Sequence, residues 1–211
     1  MSDPGLLHRV RDYYDGKLRD HGATPRGVDW NSAESQQRRF GELSRLWRDD
    51  QTATIVDYGC GYGALALWLR GRGHSGAYTG FDVSETMIAA ARHETRALTG
   101  CTFTIDRHHL APADYVAASG IFNVKMDTPA DEWRDYILRT IDDLASLAGR
   151  GFAFNALTAY SDADRQRADL YYADPLSLFD HCRRRFSRHV ALLHDYPLYE
   201  FTLIVRLQAA A

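Results

Sequence analysis

The segment Asp57-Tyr58-Gly59-Cys60-Gly61-Tyr62-Gly63 constrains this chain more than any other. It follows a β-branched run, Thr54-Ile55-Val56, and precedes a helical pattern over residues 64–69. Glycines at alternate positions let a backbone bend sharply and approach a ligand without Cβ contact. The helix beyond presents N–H groups that have no partner within the helix. A strand, a glycine turn and a helix form the opening unit of a parallel sheet with crossover helices.

The following segments repeat that unit. Residues 77–81 read as a second strand ending at Asp82, and Ser84 caps a helix running through Met87, Ala91 and Leu98 to Gly100. Residues 102–105 read as a third strand ending at Asp106, and residues 115–122 as a fourth. Thr128 as cap, Pro129 at the first helical position and Asp131 and Glu132 in the first turn start a long helix, which Gly149 and Gly151 end. Residues 152–157 make a fifth strand, and Asp174-Pro175 opens a helix near residues 176–184. Residues 190–193 and 201–205 close the chain, joined by a short stretch through Pro197. So short a link permits only antiparallel pairing.

Before residue 50 the pattern is helical. Leu7, Val10, Tyr14 and Leu18 recur at helical spacing, residues 21–27 break the pattern, and Ser32 can cap a second helix carrying Phe40, Leu43 and Trp47. Two amphipathic helices have too little apolar surface for a core of their own. The expectation is one domain over 1–211, with 1–50 as a helical cap on a core at 51–211. The 211 residues, 45% of them hydrophobic, suit one domain of ordinary size.

Charge narrows the partners. With 25 Lys+Arg against 28 Asp+Glu, the chain lacks the basic excess expected of a nucleic-acid binder. Cys60, Cys101 and Cys182 are odd in number and widely spaced, which argues against a disulfide framework and a metal site. The start, Met-Ser-Asp-Pro, does not read as a signal peptide, and no run approaches the ~20 apolar residues of a membrane span. A cytoplasmic protein with no membrane partner and no metal is expected.

Glycine spacing alone leaves the ligand open, because residues 59–64 also fit the dinucleotide form G-x-G-x-x-G/A. Asp57 stands two residues before Gly59, where a carboxylate repels a pyrophosphate but can meet an ammonium group. Asp82, ending the second strand, can accept two ribose hydroxyls, a feature NAD sites share. With Gly63 the series becomes D-x-G-x-G-x-G. On these residues the chain resembles the class I S-adenosyl-L-methionine (SAM) dependent methyltransferases, from about Ile55 to Leu207. The resemblance implies a Rossmann-like α/β fold: seven strands, mostly parallel, the last antiparallel between the fifth and sixth. It implies SAM as cofactor, with Asp57, Gly59, Gly61 and Gly63 in its loop and Asp82 on its ribose. It places Asp106 and Arg107 at the edge of the adenine pocket, and Ser119 and Ile121 along the cofactor. Val83 and Met87, beside and after Asp82, are further candidate contacts. Tyr14 can close over the cofactor, and Gln36 and Arg39, one turn apart, can reach its carboxylate.

The loop is expected at the surface. Methyl transfer from a sulfonium depends mainly on holding the nucleophile in line, so no catalytic signature is required. A base helps only where the acceptor must lose a proton. Asn155, which interrupts an apolar strand, Tyr160 beyond it, and Tyr172 are the candidate catalytic residues. A small-molecule methyltransferase is the first reading. SAM cyclisation or aminobutyrate-arm transfer on the same fold, a non-catalytic SAM-binding module and an NAD enzyme stay open. The sequence names neither the acceptor atom nor the oligomeric state.

Overall fold

The computed structural model describes residues 4–207. Seven strands, β1 (Ile55–Tyr58), β2 (Tyr78–Phe81), β3 (Cys101–Thr104), β4 (Ala113–Ala118), β5 (Ala148–Leu157), β6 (Val190–Leu193) and β7 (Glu200–Arg206), form one sheet. Their order is β3-β2-β1-β4-β5-β7-β6. The first five strands pair in parallel. β7 inserts antiparallel between β5 and β6, as its short connection to β6 requires. Strand order reverses between β1 and β4, which opens a crevice at the carboxyl ends of these strands, where open α/β sheets bind ligands.

Both faces of the sheet are buried, so its central strands are apolar on both sides. Val56, Val116, Phe152 and Phe154 join one core cluster, while Ile55, Ala117 and Ala153 join the other. Helix α1 (Pro4–His21) and helix α2 (Ala33–Ser44) flank a short 3₁₀ turn at Pro25–Val28. Ser32 and Ser35 cap α2 reciprocally. After β1 comes α3 (Ala64–Arg70), after β2 α4 (Glu85–Glu94), after β4 α5 (Ala130–Leu147) and after β5 α6 (Pro175–Arg185). Asp174 caps α6 and Ser84 caps α4. Leu6 of α1 is buried in the cluster that holds Trp133 of α5, and α2 contributes Phe40 and Leu43 to the other cluster.

Four local expectations are corrected. Strand β4 stops at Ala118, not 122, because the chain turns at Gly120 with φ 75°. Thr128 does not cap α5; Pro129 holds that position, and the Thr128 hydroxyl accepts from Arg9 instead. Gly149 and Gly151 lie inside β5, which begins at Ala148 through its pairing with Ala113. Helix α4 ends at Glu94, short of Leu98, because the Thr95 hydroxyl bonds back to the Ala91 carbonyl at 2.7 Å and Thr95 leaves helical geometry.

Candidate active site

The glycine loop bridges the carboxyl ends of β1 and β2. Gly59 and Cys60 donate their backbone N–H groups to the Phe81 carbonyl at 2.7 and 2.9 Å. Gly59, Gly61 and Gly63 adopt φ values of 84°, 52° and 80°, a region that side chains disfavour. A Cβ at Gly59 would stand 2.2 Å from Ile121 Cγ2, and one at Gly61 would stand 3.0 Å from Val28 Cγ1. The loop is therefore buried beneath other segments, not at the surface as expected.

Two carboxylates lie at this loop. Asp82 Oδ2 accepts from Gly61 N–H at 2.9 Å and Oδ1 from Ser84 N–H at 3.0 Å. Burial pushes Asp82 up to about 6, against the opposing effect of those N–H groups. Burial pushes Asp57 up to about 7, although the Tyr78 hydroxyl donates to it at 2.5 Å and stabilises the anion. Each charge also raises the cost of ionising the other, as the effect of Asp82 on Asp57 shows.

Both line a cleft of about 920 Å³, counting its open mouth. Val83, Met87, Ser119 and Ile121 line its sides, and Tyr14, Val28, Trp30 and Gln36 enclose it from the N-terminal segment. Gln36 is held by the Tyr62 hydroxyl at 3.1 Å. The Ser119 hydroxyl is buried without a partner. An orphaned hydroxyl, a carboxylate held by backbone N–H groups and a glycine cradle that a Cβ would fill suit a cationic nucleoside with a ribose diol.

Other candidates lie elsewhere. Asp106 accepts from His108 N–H at 2.9 Å, and Arg107 grips Asp143 through two bonds of 2.8 Å; neither lines the cleft. Tyr160 is 63% exposed and sits against the His194 ring. Asn155 is fully buried, accepting from Gly120 N–H at 2.9 Å and donating to Glu200 at 2.7 Å. Arg39 clasps Glu200 at 2.7 and 2.5 Å and lines a second chamber with Tyr172. That chamber adjoins the first, sharing Tyr14, Val28 and Trp30 with it. Sequence reasoning passed over Val28, Trp30 and Glu200. A glutamate opening an otherwise apolar strand was the available signal for Glu200, while Val28 and Trp30 stand in an aperiodic stretch. Among the described residues, no group of three or more His, Cys, Asp or Glu side chains is placed to hold a metal. No described helix is long and apolar enough to cross a membrane.

Fold and cleft together define a Rossmann-like SAM-dependent methyltransferase. A family model described as a methyltransferase domain matches residues 55–140. Rv1506c of Mycobacterium tuberculosis, which carries a methyltransferase name, is 54% identical over 157 residues, covering 72% of this chain and 92% of that protein. The chain belongs to the class I SAM-dependent methyltransferases, and its cofactor is SAM. The magnesium protoporphyrin IX methyltransferase of Synechocystis PCC 6803, solved with bound SAM, shares the fold at a TM-score of 0.70 and 19% identity, over 99% of this chain and 100% of that one. So does the N-methyltransferase NodS of Bradyrhizobium japonicum WM9 with S-adenosyl-L-homocysteine (SAH), at a TM-score of 0.66 and 13% identity, over 94% of this chain and 98% of that one.

Proposed function

We propose that this enzyme methylates a small-molecule acceptor held in the second chamber, and that it accelerates transfer mainly by positioning. The observation that carries this reading is the pair of adjoining chambers that meet at Tyr14, Val28 and Trp30. A bound SAM supplies a methyl group already activated on a sulfonium. The protein's task is then to orient an acceptor atom and exclude water.

The cofactor roles proposed here are supported by where the residues stand. Asp82 receives the ribose hydroxyls, its carboxylate held in place by Gly61 and Ser84 N–H groups. Gly59 and Gly61 let the backbone approach the ligand, and Gly63, also at positive φ, leads the loop into α3. Asp57 offers negative charge to the cationic end. The Ser119 hydroxyl finds a partner on the ligand, and Val83, Met87 and Ile121 supply apolar contact. Tyr14 and Gln36 close the cleft, and residues 4–50 act as its cap on the core at 51–207; the ends of the 1–50 and 51–211 reading, 1–3 and 208–211, lie outside the described residues. Burial raises the Tyr14 pKa well above its ordinary value.

Asn155 acts as a positioning residue, since it ties the Gly120 turn at the first cleft to Glu200 at the second. Tyr172 holds the second chamber's wall by accepting from Arg167 N–H at 2.9 Å. The test is incubation with methyl-labelled SAM and either a low-molecular-mass extract or the protein and nucleic-acid fractions. Label in a small molecule other than SAM or methylthioadenosine supports the reading. Label confined to macromolecules, or an aminobutyrate-derived product from SAM alone, overturns it.

A further inference from the structure

The second chamber contains a buried polar network with one conspicuous gap. Gly120 N–H donates to Asn155, Asn155 donates to Glu200, and Arg39 Nε and one terminal nitrogen clasp Glu200 at 2.7 and 2.5 Å. The Arg39 and Glu200 side chains are 6% and 1% exposed. A buried ion pair is costly unless its remaining donors are satisfied. Arg39 Nη1 is buried and has no partner. It carries two N–H groups on a guanidinium stacked 3.8 Å from the Trp30 ring centroid, and both residues line the chamber.

The chamber's other charges leave donors in excess. Asp29 is taken up by Lys17 at 2.7 Å and by the Tyr13 hydroxyl at 2.8 Å. Glu200 is taken up by Arg39 and Asn155. Arg167 is occupied by Asp169. Arg165, 67% exposed, has only a loose 3.8 Å pairing with the still more exposed Asp164. Both carboxylates of the lining are therefore spoken for, while Arg39 Nη1 and Arg165 remain to receive an oxygen acceptor. Val124, Leu157, Leu170 and Leu198 give the same chamber an apolar side.

We propose that the acceptor is a small organic acid with an apolar body, its oxyanion received by Arg39 Nη1 and drawn in by Arg165 at the exposed side. This deepens, and rests on, the small-molecule reading above. Arg39 then belongs to acceptor recognition and not to the cofactor carboxylate. A carboxylate and a phosphate monoester offer the same oxyanion chemistry to a guanidinium.

The experiment uses the full chain saturated with SAH and three probes sharing a phenyl body: 3-phenylpropionate, phenethyl phosphate and 3-phenylpropanamide. Dissociation constants are read by ligand-observed NMR. At least one acid is expected to bind tenfold or more tighter than the neutral amide, and the tighter acid names the oxyanion. Arg39→Lys keeps a cation against Glu200 but removes the free guanidinium donors; it is expected to erase most of that preference while SAH affinity stays unchanged. Arg165→Ala, on an exposed side chain whose loss the fold tolerates, is expected to weaken the acids and spare the amide. The proposal is overturned if the amide binds as tightly as both acids, if neither acid binds at millimolar concentration, or if Arg39→Lys weakens SAH while leaving acid binding intact. SAH affinity of the wild type is measured first. Absence of SAH binding overturns the methyltransferase reading and this one together, whereas SAH binding without acid preference overturns only this one.

Discussion

Asp57 and Asp82 are two carboxylates kept in a cleft that resists their ionisation. Burial lifts them to about 7 and about 6 from 3.8. A folded state that holds protons the unfolded chain has already released loses stability as pH rises. The unliganded protein should therefore lose stability between about pH 4 and pH 7 through these two groups. SAM, being cationic, favours the ionised carboxylates, so its affinity should rise across the upper part of that window. Thermal shifts by SAM should be larger at pH 8 than at pH 5.5, and Asp57→Asn should flatten the difference. An equal shift at both values in the wild type would refute this. Asp82→Ala removes the ribose acceptor; each lost hydrogen bond to a charged group is worth about 1.5–3 kcal/mol. Calorimetric SAM affinity should fall at least tenfold in a variant that still melts cooperatively. Gly61→Val adds a side chain at φ 52° facing Val28, so it should abolish SAM binding. Because the loop is buried, it should also lower the melting temperature, whereas a surface loop would have spared it.

The N-terminal elements decide how the two chambers meet. Helix α1 docks on α4 through Asp15, which accepts from the Ser84 and Thr86 hydroxyls, and α2 is anchored by Arg39 on β7. Between them Val28 and Trp30 are carried over the glycine loop and the Gly120 turn; a Cβ at Gly120 would lie 2.3 Å from the Trp30 ring. Trp30→Ala should remove the partition and the stacking on Arg39. SAM turnover without acceptor, seen as hydrolytic SAH release, should rise relative to coupled methyl transfer. Unchanged coupling would mean that Trp30 is only a filler. The element also shows why spacing misled at α5: a Thr-Pro-Ala-Asp-Glu start reads as a capped helix, yet Thr128 is drawn away by Arg9, more than a hundred residues earlier in the chain.

Across the whole molecule, one sheet separates two cores, and the cleft opens where strand order reverses. Trp133 is fully buried in one core, and its indole N–H donates to the Phe122 carbonyl at 2.8 Å, tying α5 to the chain leaving β4. Trp133→Ala should cost about 3–5 kcal/mol in urea denaturation. SAM at a hundred times its dissociation constant should restore about 2.7 kcal/mol of that if the cleft survives. Failure of SAM to raise the variant's stability would show that the α5 packing also shapes the cleft.

The alternation of strands and helices, the antiparallel closing pair and the glycine loop with Asp57 and Asp82 were all legible in the chain. Each depends on local chemistry: β-branched runs, positive φ at glycine, caps at Ser84 and Asp174, and a connection too short for a parallel crossover. The glycine loop and Asp82 directly follow their strands, so that wall of the cleft could be read by position, whereas Asp106 and Arg107, read in the same way after the third strand, do not line it. The second chamber could not be read by position. It joins Tyr14 with residues 28–39, 123–124, 157–172 and 197–200, five stretches with no shared spacing. Asn155 read as a lone polar residue in a strand, and Arg39 as a helix position facing the cofactor. Only the packing of α2 against β5 and β7 placed them on Glu200, because a buried charge must find its partner in space, wherever that partner lies in the sequence.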